Sequence, residues 1–238
     1  MKVVILCGGK GTRSYPFTEY YPKVMMPVCG TPILIHLMRL YADQGVTDFI
    51  LAAGHRQEML RDYFDGRFSN WNVDIVDTGA AADTGERLLQ CAPLAGETFF
   101  ATYGDGLGDV NIRSLLAFHK ASGGAATVTS VPLRSQYGTV VFGSDRKVTH
   151  FDEKPVIANS WINAGFFVFE RRALVNCTGG NLERDVLPNL AEAGELYTYL
   201  HKGFWKSMDT SKDQQELEEL YNDGCPPWKL PATSAAVA

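Results

Sequence analysis

Short apolar segments alternate with helical patterns along almost all of this 238-residue chain. The apolar segments are rich in Val, Ile, Phe and Thr and lie near residues 2–6, 48–53, 73–76, 98–102, 125–131 and 163–169. The helical patterns lie at about 32–44, 55–65, 84–91, 111–121, 182–193 and 211–222. This alternation predicts an α/β fold with a mostly parallel central sheet and helices on both faces.

Residues 132–170 break the alternation, because they contain strand-like pieces and turns but no clear helix. We predict a small mixed or antiparallel β insertion there, which covers one side of a pocket. At the first helix, Thr31 followed by Pro32 predicts a capping residue and a proline at the first helical position. The small residues at 231–238 predict a flexible tail, so a single domain is expected over 1–230.

The composition narrows the class of protein and of partner. With 45% hydrophobic and 21% charged residues, the chain resembles an ordinary water-soluble globular protein. A net charge of -5 argues against a nucleic-acid partner held through its phosphates, but not against a small anionic ligand. The five cysteines show no metal-binding or redox spacing, and no signal-peptide core or membrane-spanning segment is evident. We therefore expect a cytoplasmic protein without a nucleic-acid or membrane partner.

The loop after the first predicted strand reads Gly8-Gly9-Lys10-Gly11-Thr12-Arg13. Its glycines let the backbone direct several amide groups to one point, and Lys10 and Arg13 add positive charge. This combination favours a triphosphate, although a glycine-rich turn without a ligand remains an alternative. A dinucleotide-binding fingerprint fits badly, because Ser14 stands where its third glycine is needed, and a Walker-type Gly-Lys-Ser/Thr is absent from this loop.

Further motifs follow the first loop in order along the chain. They are Pro22-Lys23 with Pro27-Val28, Val76-Asp77-Thr78-Gly79, Thr84-Gly85-Glu86-Arg87-Leu88, Tyr103-Gly104-Asp105-Gly106, Glu153-Lys154-Pro155, Asn163-Ala164-Gly165-Phe166-Phe167 and Gly203-Phe204-Trp205-Lys206-Ser207-Met208-Asp209-Thr210. Together with the loop, this series resembles the signature of the sugar-1-phosphate nucleotidyltransferases, and most closely their glucose-1-phosphate cytidylyltransferase branch. The resemblance extends from Met1 to about Lys229.

The resemblance implies a single Rossmann-like nucleotidyltransferase domain, with 1–131 mainly binding the nucleotide and 132–210 mainly binding the sugar phosphate. The implied reaction transfers a nucleotidyl group from a nucleoside triphosphate, with CTP expected, to a sugar 1-phosphate, with glucose 1-phosphate expected, and releases pyrophosphate. Mg²⁺ is the expected cofactor and a homo-oligomer the expected assembly. Another sugar phosphate or nucleotide remains an alternative, as does a non-catalytic subunit that senses nucleotide sugars.

The reaction joins two anions, so its site needs cations that neutralise charge and align the reacting groups. Arg13 is the first candidate because its planar guanidinium can hold two phosphate oxygens. The resemblance assigns catalysis to Arg13 and Lys23. For nucleotide binding it implies these two residues with Leu6, Gly8, Gly9, Gly11, Thr12, Thr84, Gly85, Arg87, Gly104 and Asp105. Thr84 could equally cap its helix, and Arg87 is our candidate donor to a pyrimidine base.

Two carboxylates are the expected metal ligands. The resemblance assigns Asp105 and Asp209 to Mg²⁺, which typically takes one or two carboxylates and leaves its other positions to phosphates and water. The alternatives are a turn aspartate at Asp105 and an N-cap at Asp209 for the helix over 211–222.

The sugar-phosphate site is expected to comprise Tyr103, Glu153, Lys154, Asn163, Gly165 and Asp209. The resemblance gives the phosphate to Lys154 and the sugar hydroxyls to Glu153. Asn163 and Gly165 are two residues apart on a predicted strand, which places them on the same face. The aromatic residues around them, Trp161, Phe166, Phe167 and Phe169, are expected to be core.

Overall fold

The structure, a computed structural model, describes residues 1–175, 177 and 179–229. The predicted tail at 231–238 and the predicted domain end at residue 230 lie outside the described residues. Within them, no helix is both long enough and apolar enough to cross a membrane.

The elements alternate as predicted over most of the chain. The described strands are β1 (Lys2–Leu6), β2 (Pro27–Val28), β3 (Thr31–Pro32), β4 (Asp48–Ala53), β5 (Asn72–Asp77), β6 (Thr98–Tyr103), β7 (Gly106–Gly108), β8 (Ala126–Arg134), β9 (Thr139–Phe142), β10 (Val148–Asp152), β11 (Val156–Glu170), β12 (Leu196–Leu200) and β13 (Trp205–Ser207). The described α-helices are α1 (Phe17–Tyr20), α2 (Ile33–Ala42), α3 (Gln57–Phe64), α4 (Thr84–Ala95), α5 (Ile112–Ser122), α6 (Leu187–Glu192) and α7 (Ser211–Asn222). Short 3₁₀ turns cover Thr12–Ser14, Lys23–Met25 and Arg171–Leu174, and a π-helical turn covers Leu182–Val186.

Among the described residues, the central sheet has seven strands in the order β12-β8-β11-β6-β1-β4-β5. β1 pairs in parallel with β4 and β6, β4 with β5, and β8 with β12. Within this sheet β11 alone runs in the opposite direction, antiparallel to its neighbours β6 and β8. The predicted α/β fold with a mostly parallel sheet is confirmed.

The sheet is covered on both faces, as predicted. Along β1, Val3 and Ile5 belong to the core cluster that contains the buried face of α2. Val4 and Leu6 belong to the opposite cluster, which contains the buried face of α4. Because side chains alternate along a strand, one short apolar segment contributes to both layers.

The insertion predicted over 132–170 is smaller than expected. Only the hairpin of β9 and β10 forms a separate sheet, whereas β8 and β11 both belong to the central sheet. The reason is the buried second half of β11, where Phe167 and Phe169 pair with both β6 and β8. A second small sheet pairs β13 with β7, and thereby brings the segment before Asp209 beside the strand that follows Asp105.

The N-caps of α2, α4 and α7 differ from the residues considered in the sequence analysis. Pro32 is the N-cap of α2 and Thr31 pairs with Val28, so a Thr31 cap with Pro32 inside the helix is wrong. Asp83 caps α4 in a capping box with Glu86, and Thr210 caps α7. Neither Thr84 nor Asp209 is therefore an N-cap, and these alternatives are removed.

Aromatic packing differs from the prediction at one position. Phe166, Phe167 and Phe169 are buried as expected, but Trp161 is 37% exposed. Trp228 is only 3% exposed and packs against the rings of His36, Tyr221 and Phe204. This tryptophan joins the end of the described chain to α2 and α7.

These two tryptophans provide a stability test. We expect Trp228→Ala to lower the free energy of unfolding by about 3–5 kcal/mol, because it leaves a cavity in a packed aromatic cluster. Trp161→Ala is the matched control and should cost clearly less, because part of that ring is already in water. Denaturant unfolding of both variants measures the difference, and equal losses would contradict the packing described here.

Candidate active site

A cavity of about 480 Å³ opens at the edge of the sheet where β1 and β6 end. β1 and β6 are parallel neighbours, so the loop after Leu6 and the turn after Tyr103 meet at the same edge. The described residues in its wall are Leu6, Cys7, Gly8, Gly9, Gly11, Arg13, Lys23, Val24, Ala82, Asp83, Thr84, Arg87, Tyr103, Asp105, Asn163, Glu183, Trp205, Ser207 and Asp209. Twelve of the eighteen predicted site residues are in this set.

The glycine-rich loop is shaped by close contacts with its own surroundings. Gly11 has a φ of +60°, and a Cβ there would lie 2.8 Å from Cβ of Lys23. The Thr18 hydroxyl donates to the Gly11 carbonyl at 3.0 Å, and the buried Ser14 hydroxyl donates to the Asp209 carbonyl at 2.9 Å. Gly11 is thus required both for the turn and for the position of the Lys23 backbone.

Arg87 lies beneath the loop and is 3% exposed. Its Nη2 donates to the Gly8 carbonyl at 3.0 Å, and its Nη1 donates to the Ala53 carbonyl at 3.2 Å and to the Thr78 hydroxyl at 2.5 Å. These three acceptors are uncharged, and burial lowers the pKa of the guanidinium. Arg87 therefore joins the ends of three parallel strands to α4.

Two cations and two carboxylates meet on the other side of the loop. Lys23 Nζ lies 2.6 Å from Asp105 Oδ2 and 2.5 Å from Asp209 Oδ1. Arg13 Nη2 lies 3.1 Å from the same Asp209 oxygen, although its side chain is 73% exposed. Burial acts to lower the pKa of Lys23, but the Asp105 and Asp209 carboxylates outweigh it and raise this pKa. The predicted catalytic and metal-binding residues thus form one cluster.

A second polar network lies in the wall beside this cluster. The Tyr103 hydroxyl donates to Glu183 Oε1 and accepts a hydrogen bond from Asn163 Nδ2 at 3.1 Å. The Thr84 hydroxyl donates to Glu183 Oε2 at 3.0 Å. Burial, together with the Glu183 carboxylate, raises the pKa of Tyr103. The phenol is therefore a neutral hydrogen-bond donor to Glu183.

Gly165 acts on the cavity through Tyr103. It has a φ of +76°, and a Cβ at this position would overlap the Tyr103 ring. The pairing of β11 with β8 shifts between Asn163 and Phe167, so the regular alternation expected for Asn163 and Gly165 is interrupted here. The Gly165 amide instead donates to Asn163 Oδ1 at 2.8 Å.

The structure places six predicted site residues outside the cavity wall. They are Thr12, Gly85, Gly104, Glu153, Lys154 and Gly165. Gly104 packs beneath Val24, and the amide of Gly85 donates to the Gly180 carbonyl. Glu153 and Lys154 are exposed and follow the β9–β10 hairpin.

Four polar or aromatic residues of the wall were not predicted as site residues. They are Asp83, Glu183, Trp205 and Ser207. Trp205 and Ser207 lie in the motif that ends at Asp209, which was a usable signal. Glu183 lies in no motif, and only the contact of its turn with the start of α4 brings it into the wall.

The donor chemistry of the cluster fits a hard divalent cation. Asp105 and Asp209 each have one carboxylate oxygen that is not bound to Lys23, and Mg²⁺ prefers such oxygen ligands. Among the described residues there is no group of three or more His, Cys, Asp or Glu placed to hold a metal. Two carboxylates suit Mg²⁺ when phosphates and water supply its remaining ligands.

The two glycines at the start of the loop test the contact with Arg87. A Cβ at Gly8 would overlap the buried guanidinium, whereas a Cβ at Gly9 would have no neighbour within 4 Å. We expect Gly8→Ala to lower the free energy of unfolding by about 1–3 kcal/mol. The matched Gly9→Ala should change it by less than about 0.5 kcal/mol. Similar values for both variants in denaturant unfolding would show that Arg87 does not occupy this position.

Comparison with known proteins identifies the family of this chain. The nucleotidyl transferase family model matches residues 2–222. The glucose-1-phosphate cytidylyltransferase of Salmonella typhimurium is 36% identical over an alignment of 255 positions, which covers 96% of this chain and 99% of that enzyme. The mannose-1-phosphate guanyltransferase of Hypocrea jecorina is 31% identical over 228 residues, which cover 90% of this chain and 62% of that enzyme.

A solved structure shows the same fold at low identity. UDP-glucose pyrophosphorylase complexed with UDP-glucose superposes with a TM-score of 0.72 and 17% identity, covering 94% of this chain and 99% of that one. The family match extends over nearly all of the chain and includes every residue of the Lys23, Arg13, Asp105 and Asp209 cluster. The chain belongs to the nucleotidyl transferase family and is a sugar-1-phosphate nucleotidyltransferase.

Proposed function

We propose that this enzyme transfers a cytidylyl group from CTP to glucose 1-phosphate and releases pyrophosphate. The observation that carries the proposal is the 36% identity to the Salmonella typhimurium glucose-1-phosphate cytidylyltransferase over almost the full length of both chains. The guanyltransferase relative is less similar and is matched over only 62% of its length. The order of motifs along the chain supports the same branch.

In the proposed reaction, an oxygen of the sugar phosphate attacks the α-phosphorus of CTP, and the bond from that phosphorus to the pyrophosphate oxygen breaks. Lys23 and Arg13 are the residues suited to neutralise the phosphate oxygens during this step. Lys23 is a cation at neutral pH, and its carboxylate neighbours raise its pKa further. The exposed Arg13 side chain is free to turn toward a phosphate, because a surface ion pair such as its contact with Asp209 contributes little stability.

We further propose that Asp105 and Asp209 hold Mg²⁺. A bound Mg²⁺ would neutralise phosphate charge and help to align the two substrates. In the structure the Lys23 ammonium lies between these two carboxylates and, together with Arg13 beside Asp209, balances their charge. Asp105 and Asp209 therefore already hold one cation, the Lys23 ammonium, in the structure without substrates. Their carboxylate oxygens also suit a divalent cation.

For the base, we propose that Arg87 contributes to recognition of cytosine. A guanidinium has five N–H donors, and three of them are used by Gly8, Ala53 and Thr78. The other two have no partner among the described residues, and Arg87 forms part of the cavity wall, which supports a contact with the O2 and N3 acceptors of a pyrimidine. Backbone carbonyls would accept from the exocyclic amine of cytosine.

We also propose that the enzyme is a cytoplasmic homo-oligomer. The apolar side chains of the β9–β10 hairpin support an assembly, because Val141, Phe142, Val148 and Phe151 are all exposed. Free cysteines, of which Cys7 and Cys91 are buried, agree with a reducing compartment.

A matrix of nucleoside triphosphates and sugar 1-phosphates, with pyrophosphate release as the readout, tests the proposed specificity. We expect the highest kcat/KM for CTP with glucose 1-phosphate. UTP should be at least about a hundredfold poorer, because a site that pairs with the cytosine amine leaves buried polar groups unsatisfied when uracil binds. A preference for UTP, dTTP or GTP would contradict the cytidylyl proposal but leave the nucleotidyltransferase activity intact.

The two carboxylates test the metal proposal. Asp105→Asn and Asp209→Asn should each raise the Mg²⁺ concentration for half-maximal activity by about tenfold or more, because an amide oxygen is a poorer ligand than a carboxylate. EDTA should abolish activity of the unmodified enzyme. Asp62→Asn, on the exposed side of α3, is the charge-matched control and should leave the Mg²⁺ dependence unchanged. An unchanged dependence in either site variant would show that its carboxylate only positions Lys23.

A further inference from the structure

The Glu183 carboxylate is part of the cavity wall, but it belongs neither to the Lys23, Arg13, Asp105 and Asp209 cluster nor to the bonds of Arg87. It projects from the π-helical turn Leu182–Val186, which packs against the start of α4. Its two oxygens contact the hydroxyls of Tyr103 and Thr84, which are both neutral groups. A carboxylate whose side-chain partners among residues 1–175, 177 and 179–229 are both neutral, and which lines a cavity, is available for ligand recognition.

The hydrogen bonds around Glu183 determine the position of every relevant proton. The Leu182 amide donates to the Thr84 oxygen at 2.8 Å, so the proton of the Thr84 hydroxyl is directed to Glu183 Oε2. On the other side, the Gly165 amide donates to Asn163 Oδ1, which fixes Asn163 Nδ2 as the donor to the Tyr103 oxygen. The Tyr103 proton is therefore directed to Glu183 Oε1.

This arrangement requires both Glu183 oxygens to act as acceptors. A carboxylate has about four acceptor positions, and the Tyr103 and Thr84 hydroxyls use two of them. The remaining positions suit neutral hydroxyl donors. They do not suit phosphates, because two anions repel each other at short range. Glu183 should therefore contact a hydroxylated ring and not the triphosphate.

The two hydroxylated rings in the reaction are the sugar of the sugar 1-phosphate and the ribose of the nucleotide. In the sheet, β6 and β11 lie on one side of β1, whereas β4 and β5 lie on the other. Arg87, the candidate contact to the base, is bonded to the end of β4 and to Thr78 after β5. Glu183 Oε2 accepts from Thr84 at the start of α4, whereas Glu183 Oε1 accepts from Tyr103 at the end of β6, which connects it to Asn163 of β11 on the side of β1 away from β4 and β5.

We propose that Glu183 recognises hydroxyl groups of the sugar 1-phosphate and is a specificity-determining residue of this enzyme. This role rests on the proposed function only in that the site accepts a sugar 1-phosphate, whichever sugar it is. Tyr103, Thr84 and Asn163 hold the Glu183 carboxylate in place. Glu153, which the family resemblance assigns to the sugar hydroxyls, is exposed and is not part of the cavity wall.

Glu183→Gln is the test variant, because it removes the charge but keeps the shape of an exposed side chain. We expect it to raise KM for the sugar 1-phosphate by about tenfold to a hundredfold, the usual effect of losing a hydrogen bond to a charged group. Equilibrium binding of the nucleotide alone should be unchanged. Glu192→Gln, a nearby exposed glutamate outside the cavity wall, is the matched control and should behave as the unmodified enzyme.

Deoxy sugar phosphates separate recognition from a structural role. The unmodified enzyme should lose kcat/KM with the analogue that lacks the recognised hydroxyl. Glu183→Gln should show almost no further loss of kcat/KM with this analogue, because the substitution and the missing hydroxyl remove the same contact. Both enzymes are assayed with the nucleoside triphosphate and the sugar 1-phosphate that the unmodified enzyme uses best, and with the deoxy analogue of that sugar 1-phosphate. A sugar other than glucose would therefore refute the proposed specificity without affecting this test.

Three results would overturn the role of Glu183. The first is an unchanged KM for the sugar 1-phosphate in Glu183→Gln. The second is a raised KM for the nucleotide in Glu183→Gln that does not rise further when the nucleotide is replaced by its deoxyribose analogue. This result would assign Glu183 to the ribose. The third is coupling to the deoxy sugar in Glu153→Gln and not in Glu183→Gln, which would return sugar recognition to Glu153.

Discussion

The hydrogen bonds of the buried Arg87 guanidinium hold the cavity together. From α4, this side chain binds the Gly8 carbonyl after β1, the Ala53 carbonyl at the end of β4 and the Thr78 hydroxyl after β5. Burying a cation is costly unless hydrogen bonds replace its hydration. The strand ends can supply these bonds because Gly8 and Gly54 have no side chain at the positions where a Cβ would meet the guanidinium.

Beside the Arg87 support, ion pairs organise the proposed reacting part of the site. Lys23 joins Asp105 and Asp209, which are 104 residues apart in the chain but are brought together by the pairing of β7 with β13. The same carboxylates that raise the pKa of Lys23 are the proposed ligands for Mg²⁺. In the proposed reaction Lys23 is held in place by these carboxylates before the substrates enter, whereas the exposed Arg13 turns from Asp209 to a phosphate.

The sheet and the helices could be predicted because their signals are local. Six apolar segments and six helical patterns each matched an element of the structure, and the strand predicted over 98–102 ends one residue later, at Tyr103. Caps were harder, since Thr31, Thr84 and Asp209 have suitable side chains but their neighbours form the actual N-caps. Capping depends on backbone angles at one residue, which the residue type only biases.

The sequence by itself determined the α/β class, the glycine-rich loop and the identities of the candidate cations and carboxylates, because motifs of adjacent residues carry them, whereas the pairing of β7 with β13 brings Asp105 and Asp209 together. The tertiary structure alone decided that Arg87 is a buried support, that Glu153 and Lys154 lie outside the cavity wall, and that Glu183 lies within it. The physical reason is that these positions depend on contacts between segments far apart in the chain. Glu183 reaches Thr84 and Tyr103 only because its turn packs on the start of α4 beside the end of β6.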